Sequence, residues 1–104
     1  MTPYPCPGYD ISVIRILIGN RAKKQLRKVP VHVVAKLKLW VNVVKTDGLS
    51  EVRKLPGFHD EPLKGKRRGQ RSIRLSKSYR AIYTRTAEGG LEIVVVEEVS
   101  KHEY

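Results

Sequence analysis

Residues 91–100 form a run rich in β-branched side chains, and this run strongly restricts which folds the chain can adopt. Successive side chains of a β-strand point to opposite faces of the sheet. Here Ile93 and Val95 would lie on one face, and Val94 and Val96 on the other. A strand that is apolar on both faces is an interior strand that is covered on both sides. We therefore expect a sheet with this strand inside it and helices over at least part of it.

A stripe of apolar side chains at three- and four-residue steps begins just after Pro30 and predicts a helix over residues 31–46. The stripe consists of Val33, Val34, Leu37, Trp40, Val41 and Val44. Asn20 can cap a shorter helix over residues 21–29, and Pro30 separates the two because proline is disfavoured inside a helix. The two segments predict a helical hairpin with Trp40 in the core.

Three further segments are predicted as strands from their β-branched content or alternation: residues 10–18, 70–75 and 79–86. A short turn of helix is expected within residues 49–55, and a charged loop over residues 58–69. The order β-α-α-β-β-β predicts an α+β fold in which the helical hairpin packs on one face of a twisted, mainly antiparallel sheet.

Length and composition predict one cytoplasmic domain over residues 1–104, with residues 1–10 as an irregular, proline-rich N-terminal arm. No apolar run approaches the roughly 20 residues that a membrane span requires, and the N-terminus lacks the pattern of a secretory signal. Cys6 is the only cysteine, so nothing in the sequence indicates an oxidising compartment.

The charge of the chain is large and unevenly placed. The 21 Lys and Arg residues against 10 Asp and Glu give a net charge of +11. Residues 21–85 contain 19 basic and 4 acidic residues, whereas residues 86–104 carry a net charge of −4. Because a concentrated positive field attracts polyanions, we expect a nucleic acid or an acidic protein as partner.

Nine basic residues and no acidic one lie between positions 64 and 85, several of them beside glycines. Lysine and arginine side chains near an open backbone are suited to phosphate contacts. The candidate RNA-binding residues are Lys64, Lys66, Arg67, Arg68, Arg71 and Arg74. The alternative for this segment is a basic loop that docks an acidic protein.

The triplet His59-Asp60-Glu61 precedes this basic segment. Three consecutive loop side chains rarely converge on one ion, so we expect neither a metal nor another cofactor. Glu61 in a cationic loop stays ionised and can act as a general base. Arg80, on an otherwise apolar strand, must find an anion, which could be Glu61, another acid or a substrate phosphate.

The chain ends in Lys-His-Glu-Tyr, which continues the last predicted strand. In a strand His102 and Tyr104 would share a face, with Glu103 opposite. An imidazole and a phenol at that position suit proton transfer and base stacking.

Four segments occur in a fixed order along the chain: residues 21–30 (RAKKQLRKVP), residues 61–65 (EPLKG), residues 79–83 (YRAIY) and the terminal KHEY. Together they resemble the RelE/HigB superfamily of bacterial type II toxins. The resemblance extends over residues 11–104. It implies a microbial-RNase-like sheet with a concave face and an mRNA interferase that cleaves mRNA in the ribosomal A site without a metal. It also implies attack of the 2′-OH on the adjacent phosphate, and a cognate antitoxin.

The resemblance also implies roles for individual residues. Glu61 matches the carboxylate that acts as base, and Lys64 the lysine just after it. His59 lies close to a functional histidine of HigB-like members, and Arg80 matches the arginine that stabilises the phosphorane-like charge. His102 and Tyr104 match the terminal proton donor and stacking ring. In the family these two are adjacent, whereas Glu103 separates them here, so the general acid is either His59 or His102.

Two other functions compete with the endoribonuclease. A non-catalytic RNA- or ribosome-binding protein would explain the charge but gives no reason for Glu61 within the basic segment. A toxin of the same fold that acts on a protein target, as ParE-like toxins do, generally lacks the base, the arginine and the terminal His and Tyr. The set found in this sequence therefore favours the RNase.

Overall fold

The computed structural model describes residues 13–101, which form a five-stranded mixed sheet with three helices. The strands are β1 (Val13–Ile18), β2 (Glu61–Pro62), β3 (Arg71–Arg74), β4 (Tyr79–Glu88) and β5 (Leu91–Lys101). The helices are α1 (Asn20–Leu26), α2 (Val31–Asp47) and α3 (Leu49–Val52). The predicted N-terminal arm and the predictions for His102 and Tyr104 lie outside the described residues.

The strand order across the sheet is β1-β5-β4-β3-β2. β1 runs parallel to β5 and the remaining neighbours are antiparallel, so the sheet is mainly antiparallel, as predicted. β5 is an interior strand. Val94 and Val96 are fully buried in the core, whereas Ile93 and Val95 are only half-buried. One face of β5 is therefore completely covered, as expected, whereas the other face is only partly covered. We call this second face of the sheet the open face.

The helices pack on the face of the sheet opposite the open face, which we call the helix face. Val33, Leu37, Trp40 and Val44 of α2 are buried against the sheet, which confirms four of the six residues of the predicted stripe; the other two are half-buried. The ring of Trp40 packs against that of Tyr83 in β4, with ring centroids 5.0 Å apart and the planes tilted by 47°. Trp40 is thus a core residue, as predicted. No helix within residues 13–101 is long and apolar enough to cross a membrane.

A β-bulge interrupts the pairing of β4 with β5. Ile82 pairs with Glu98, but the next residue, Tyr83, pairs with Val96, so Glu97 has no cross-strand partner. The extra residue shifts the alternation of β5. As a result Val96 and Val99 both enter the core, while Glu97 and Glu98 both lie on the open face.

The segment 58–69, predicted as a loop, contains more structure than the sequence indicated. Glu61–Pro62 forms an edge strand that pairs with β3, and Gly65–Arg67 forms a single 3-10 turn. A two-residue strand is too short for an alternation pattern, and proline is tolerated there because the strand lies at the sheet edge. This short strand fixes where Glu61 lies.

Candidate active site on the open face

Two rows of cross-strand partners lie next to each other on the open face, near the edge strand β2. Residues directly opposite each other in paired strands share a face of the sheet. The first row consists of Glu61, Ser72, Ile82 and Glu98. The second row consists of Arg74, Arg80 and Ser100. A carboxylate and two guanidinium groups that are distant in sequence are thereby brought to one surface.

A cavity of about 100 Å³ lies over these rows. His59, Glu61, Arg74, Lys77 and Arg80 contribute to its lining. The structure therefore brings together three of the predicted catalytic residues, His59, Glu61 and Arg80. Glu61 and His59 are exposed, and Arg80 is half-buried. An imidazole, a carboxylate and several cationic groups therefore surround one cavity. Such groups can act as acid, as base and as stabilisers of negative charge when a phosphate reacts.

The two arginines of the second row are direct neighbours with like charge. Like charges directly opposite each other destabilise a strand pair. The Nε of Arg80 is buried and has no hydrogen-bond partner among the described residues. A buried donor without a partner costs about 1–3 kcal/mol. An anion placed between the two guanidinium groups would offset both penalties.

The chain reaches this cavity through a 3-10 turn followed by a residue with left-handed backbone conformation. The 3-10 turn Pro56–Phe58 buries the ring of Phe58, over which the Nζ of Lys36 lies 5.0 Å from the ring centroid. His59 follows with φ of 47°, the only non-glycine residue with positive φ within the described part of the chain. The backbone turns there, and Glu61 then enters β2.

Asp60, between His59 and Glu61, points to the opposite face of the sheet. Its side chain is fully buried. Its Oδ1 accepts a hydrogen bond from Arg71 Nε at 2.6 Å, and its Oδ2 accepts one from the Tyr83 hydroxyl at 2.5 Å. Burial of the Tyr83 hydroxyl raises its pKa above the ordinary value, and the hydrogen bond to Asp60 raises it further. The triplet 59–61 thus does not converge on one point, and no cluster of three or more potential metal-ligating side chains occurs within residues 13–101.

The predicted RNA-binding residues fall into two groups. Arg74 lines the cavity, and Lys64, Lys66 and Arg68 are exposed. Arg67 and Arg71 instead hold carboxylates of the protein itself. Arg67 binds Glu98 Oε1 at 3.1 Å on the open face, and Arg71 binds Asp60 on the helix face.

Glu98 and Asp60 are structurally important acids that were not predicted from the sequence. Glu98 is almost fully buried and also lies 3.9 Å from Arg21. Two consecutive glutamates in an apolar strand were the available signal for the bulge at Glu97. For Asp60 the sequence offers no signal, because its partners lie 11 and 23 residues away.

The two remaining predicted residues, His102 and Tyr104, lie outside the described residues. Ser100 is the direct cross-strand partner of Arg80, and Lys101 pairs with Tyr79.

Neither a protein-family model nor a curated protein matches the sequence. Solved structures do match the fold. The YoeB/ParE toxin from Agrobacterium tumefaciens superimposes with a TM-score of 0.64 at 18% identity, covering 86% of this chain and 99% of that one. YafQ from E. coli strain BL21(DE3) gives a TM-score of 0.63 at 18% identity, covering 85% and 92%.

A third match is a chain of the toxin-antitoxin complex RelBE2 from Mycobacterium tuberculosis. Its TM-score is 0.55 at 24% identity, with coverage of 88% of this chain and 98% of that one. The sequence resemblance is thereby confirmed at the level of the fold: the chain has the α+β fold of the RelE-like toxins.

Proposed function

We propose that the chain is the toxin of a toxin–antitoxin module and a metal-independent endoribonuclease that cleaves mRNA on the ribosome. The observation that carries this proposal is the gathering of His59, Glu61, Arg74 and Arg80 around one cavity on the open face. A binding protein would need the cations but not the carboxylate and imidazole among them. The fold shared with solved toxins supports the same assignment.

The reaction assigned to the cavity is attack of a ribose 2′-OH on the adjacent phosphate. Glu61 removes the proton of the 2′-OH as the new P–O bond forms. Arg80 and Arg74 donate hydrogen bonds to the phosphate oxygens, where negative charge accumulates in the transition state. A histidine, His59 or His102, protonates the 5′-oxygen as its bond to phosphorus breaks. The products are a 2′,3′-cyclic phosphate and a free 5′-OH.

The cations outside the cavity are assigned to neighbouring phosphates of the RNA. Lys64 and Arg68 line a second concavity with Leu63 and Gly65, next to the exposed Lys66. Arg67 and Arg71 contribute less to binding in this proposal because their charges are already met by Glu98 and Asp60. Tyr104 is assigned to stacking on a base.

The partner proposed for the free toxin is an antitoxin with an acidic segment. A net charge of +11 on 104 residues causes self-repulsion, which an acidic partner would relieve. The solved structures of this fold include the E. coli DinJ-YafQ toxin-antitoxin complex and the RelBE2 complex.

The test compares Glu61→Gln with a matched control, Glu88→Gln, which changes an exposed glutamate at the end of β4. Loss of a general base typically lowers a rate by about 10²–10⁴-fold. We expect Glu61→Gln to lose growth arrest and cleavage of ribosome-bound mRNA, and Glu88→Gln to keep both. Growth arrest by the parent without any transcript cleavage would contradict the proposal and favour a toxin that acts on a protein target.

A further inference from the structure

A fully buried carboxylate lies between two exposed candidate catalytic residues. The side chain of Asp60 has no exposed surface, whereas its neighbours His59 and Glu61 are exposed. Aspartate is rarely buried unless it is paired. Asp60 is paired twice, with Arg71 Nε at 2.6 Å and the Tyr83 hydroxyl at 2.5 Å.

The two partners of Asp60 belong to the strands that carry the candidate arginines. Arg71 precedes Arg74 by three residues in β3, and Tyr83 follows Arg80 by three residues in β4. One carboxylate therefore connects the 59–61 segment to both strands at once. Tyr83 is itself fixed, since it is fully buried and packs against Trp40 of α2.

We propose that Asp60 is a positioning residue, held by Arg71 and Tyr83, that sets Glu61 and His59 at their working distance from Arg80. This inference rests on the proposed endoribonuclease activity. The side chain of Asp60 is anchored on the helix face, whereas Glu61, the next residue, lies on the open face and His59, the residue before it, lines the cavity there. Fixing Asp60 therefore restricts the backbone that carries both side chains. The left-handed backbone of His59 needs such an anchor, because that conformation is disfavoured for a residue other than glycine.

The sensitivity of the reaction to distance gives the anchor its importance. A misplacement of about 1 Å at a reacting group can lower a rate by about 10²-fold. Glu61 lies in a strand of only two residues at the sheet edge, and its backbone pairing alone involves one neighbour, Ser72. The Asp60 anchor restricts movement that this short pairing would allow.

The competing explanation is that the buried cluster only stabilises the fold. Tyr83→Phe separates the two, because it keeps the ring against Trp40 and removes a single hydrogen bond to Asp60. Thr84→Val is the matched control. It removes the hydroxyl that donates to Glu97 Oε2 at 2.9 Å, from the adjacent residue of the same strand, and leaves the 59–61 segment untouched.

The first measurement is single-turnover RNA cleavage with RNA binding measured separately. We expect Tyr83→Phe to lower the cleavage rate at least about tenfold while the RNA dissociation constant changes less than about twofold. Thr84→Val should change both by less than about twofold. Equal rates for the two variants, after both are shown to be folded, would overturn the inference.

The second measurement does not depend on activity. NMR would follow the ring resonances of His59 and the amide hydrogen exchange of residues 59–61 in both variants. We expect Tyr83→Phe to shift the His59 resonances and speed this exchange about tenfold relative to Thr84→Val. An unchanged segment would overturn the positioning inference even if the parent cleaves RNA. A parent that fails to cleave, with the segment altered in Tyr83→Phe, would contradict the proposed function while leaving the structural role of Asp60 supported.

Discussion

Arg74 and Arg80 are direct cross-strand partners on the open face, and no acidic side chain within residues 13–101 lies within salt-bridge distance of either. Like charges on directly opposed residues destabilise a strand pair, and the Nε of Arg80 is also buried without a partner among the described residues. A protein that keeps this arrangement gains no stability from it. The arrangement is explained if a substrate phosphate is the missing partner.

The first prediction follows from this pair. Arg80→Met should lower RNA cleavage by about 10²–10³-fold, the usual cost of losing one donor to a transition-state anion. The same change should leave the free energy of unfolding unchanged or raise it by up to about 1 kcal/mol, because it removes a buried unpartnered donor. Arg15→Met, in the edge strand β1, is the control and should leave cleavage unchanged. A folded Arg80→Met variant that arrests growth like the parent would show that Arg80 is not catalytic.

The second prediction decides between the two candidate acids. If His102 gives the proton, the variant His102→Ala should bind RNA normally but cleave it much more slowly. His59→Ala should then have a far smaller effect. The comparison uses single-turnover rates and binding constants for both variants. An inactive His59→Ala variant beside an active His102→Ala variant would assign the acid to His59.

The third prediction concerns alkaline pH. Burial and the bond to Asp60 raise the pKa of Tyr83 in the folded state above the ordinary value of 10.0. Below pH 10 both folded and unfolded states carry the phenolic proton, and the contribution of Tyr83 to stability is complete. Above pH 10 the unfolded state loses this proton first, so stability falls as pH rises, by at most about 1.4 kcal/mol per pH unit from this group.

The variant Tyr83→Phe has no phenolic proton to lose. At neutral pH it should be less stable than the parent by about 1.5–3 kcal/mol, the usual contribution of a hydrogen bond to a charged group. The difference should narrow between pH 10 and 11, as measured by denaturant unfolding. A difference that stays constant over this range would contradict the raised pKa.

Part of this architecture follows from local sequence patterns. The apolar stripe of α2 repeats over several helical turns, and the centre of β5 carries apolar residues on both faces. Both elements could therefore be predicted without knowing what they pack against. β2 could not, because two residues carry no period. The bulge at Glu97 is defined by the register between β4 and β5, and the Asp60 cluster by contacts over 11 and 23 residues. Such long-range pairings leave no periodic trace in the chain.

The same limit explains the candidate site. Glu61 and Arg80 were predicted from their charge and from family resemblance, and the sheet register brings them to one cavity. The basic segment was predicted as one RNA-binding surface because charge alone does not indicate which face a side chain takes. In the structure Arg71 lies on the helix face with Asp60, whereas Arg74 lies on the open face.

The fourth prediction concerns the proposed antitoxin. If an acidic segment covers the exposed cations, charge reversal at Lys66 and Arg68 should weaken the complex, and added salt should weaken it further. Exposed charges are screened over about 10 Å at 0.1 M salt. Charge reversal at Arg67 should also disturb its bond to Glu98, so the exposed pair is the cleaner test. A complex indifferent to both salt and charge reversal would contradict an electrostatic interface.

We propose that this chain cuts RNA by 2′-OH attack with its own side chains. The most direct test identifies the chemical groups at the cut ends. It compares a minimal RNA with the same RNA carrying a single 2′-deoxy nucleotide at the cleavage position, both in the presence of EDTA. If cleavage occurs only on the ribosome, the same ends are mapped on ribosome-bound mRNA with the magnesium that keeps ribosomes intact. We expect a 2′,3′-cyclic phosphate and a 5′-OH, no cut at the deoxy position, and no requirement for a divalent ion on the minimal RNA. Ends with a 5′-phosphate, or cleavage of the deoxy position, would contradict it.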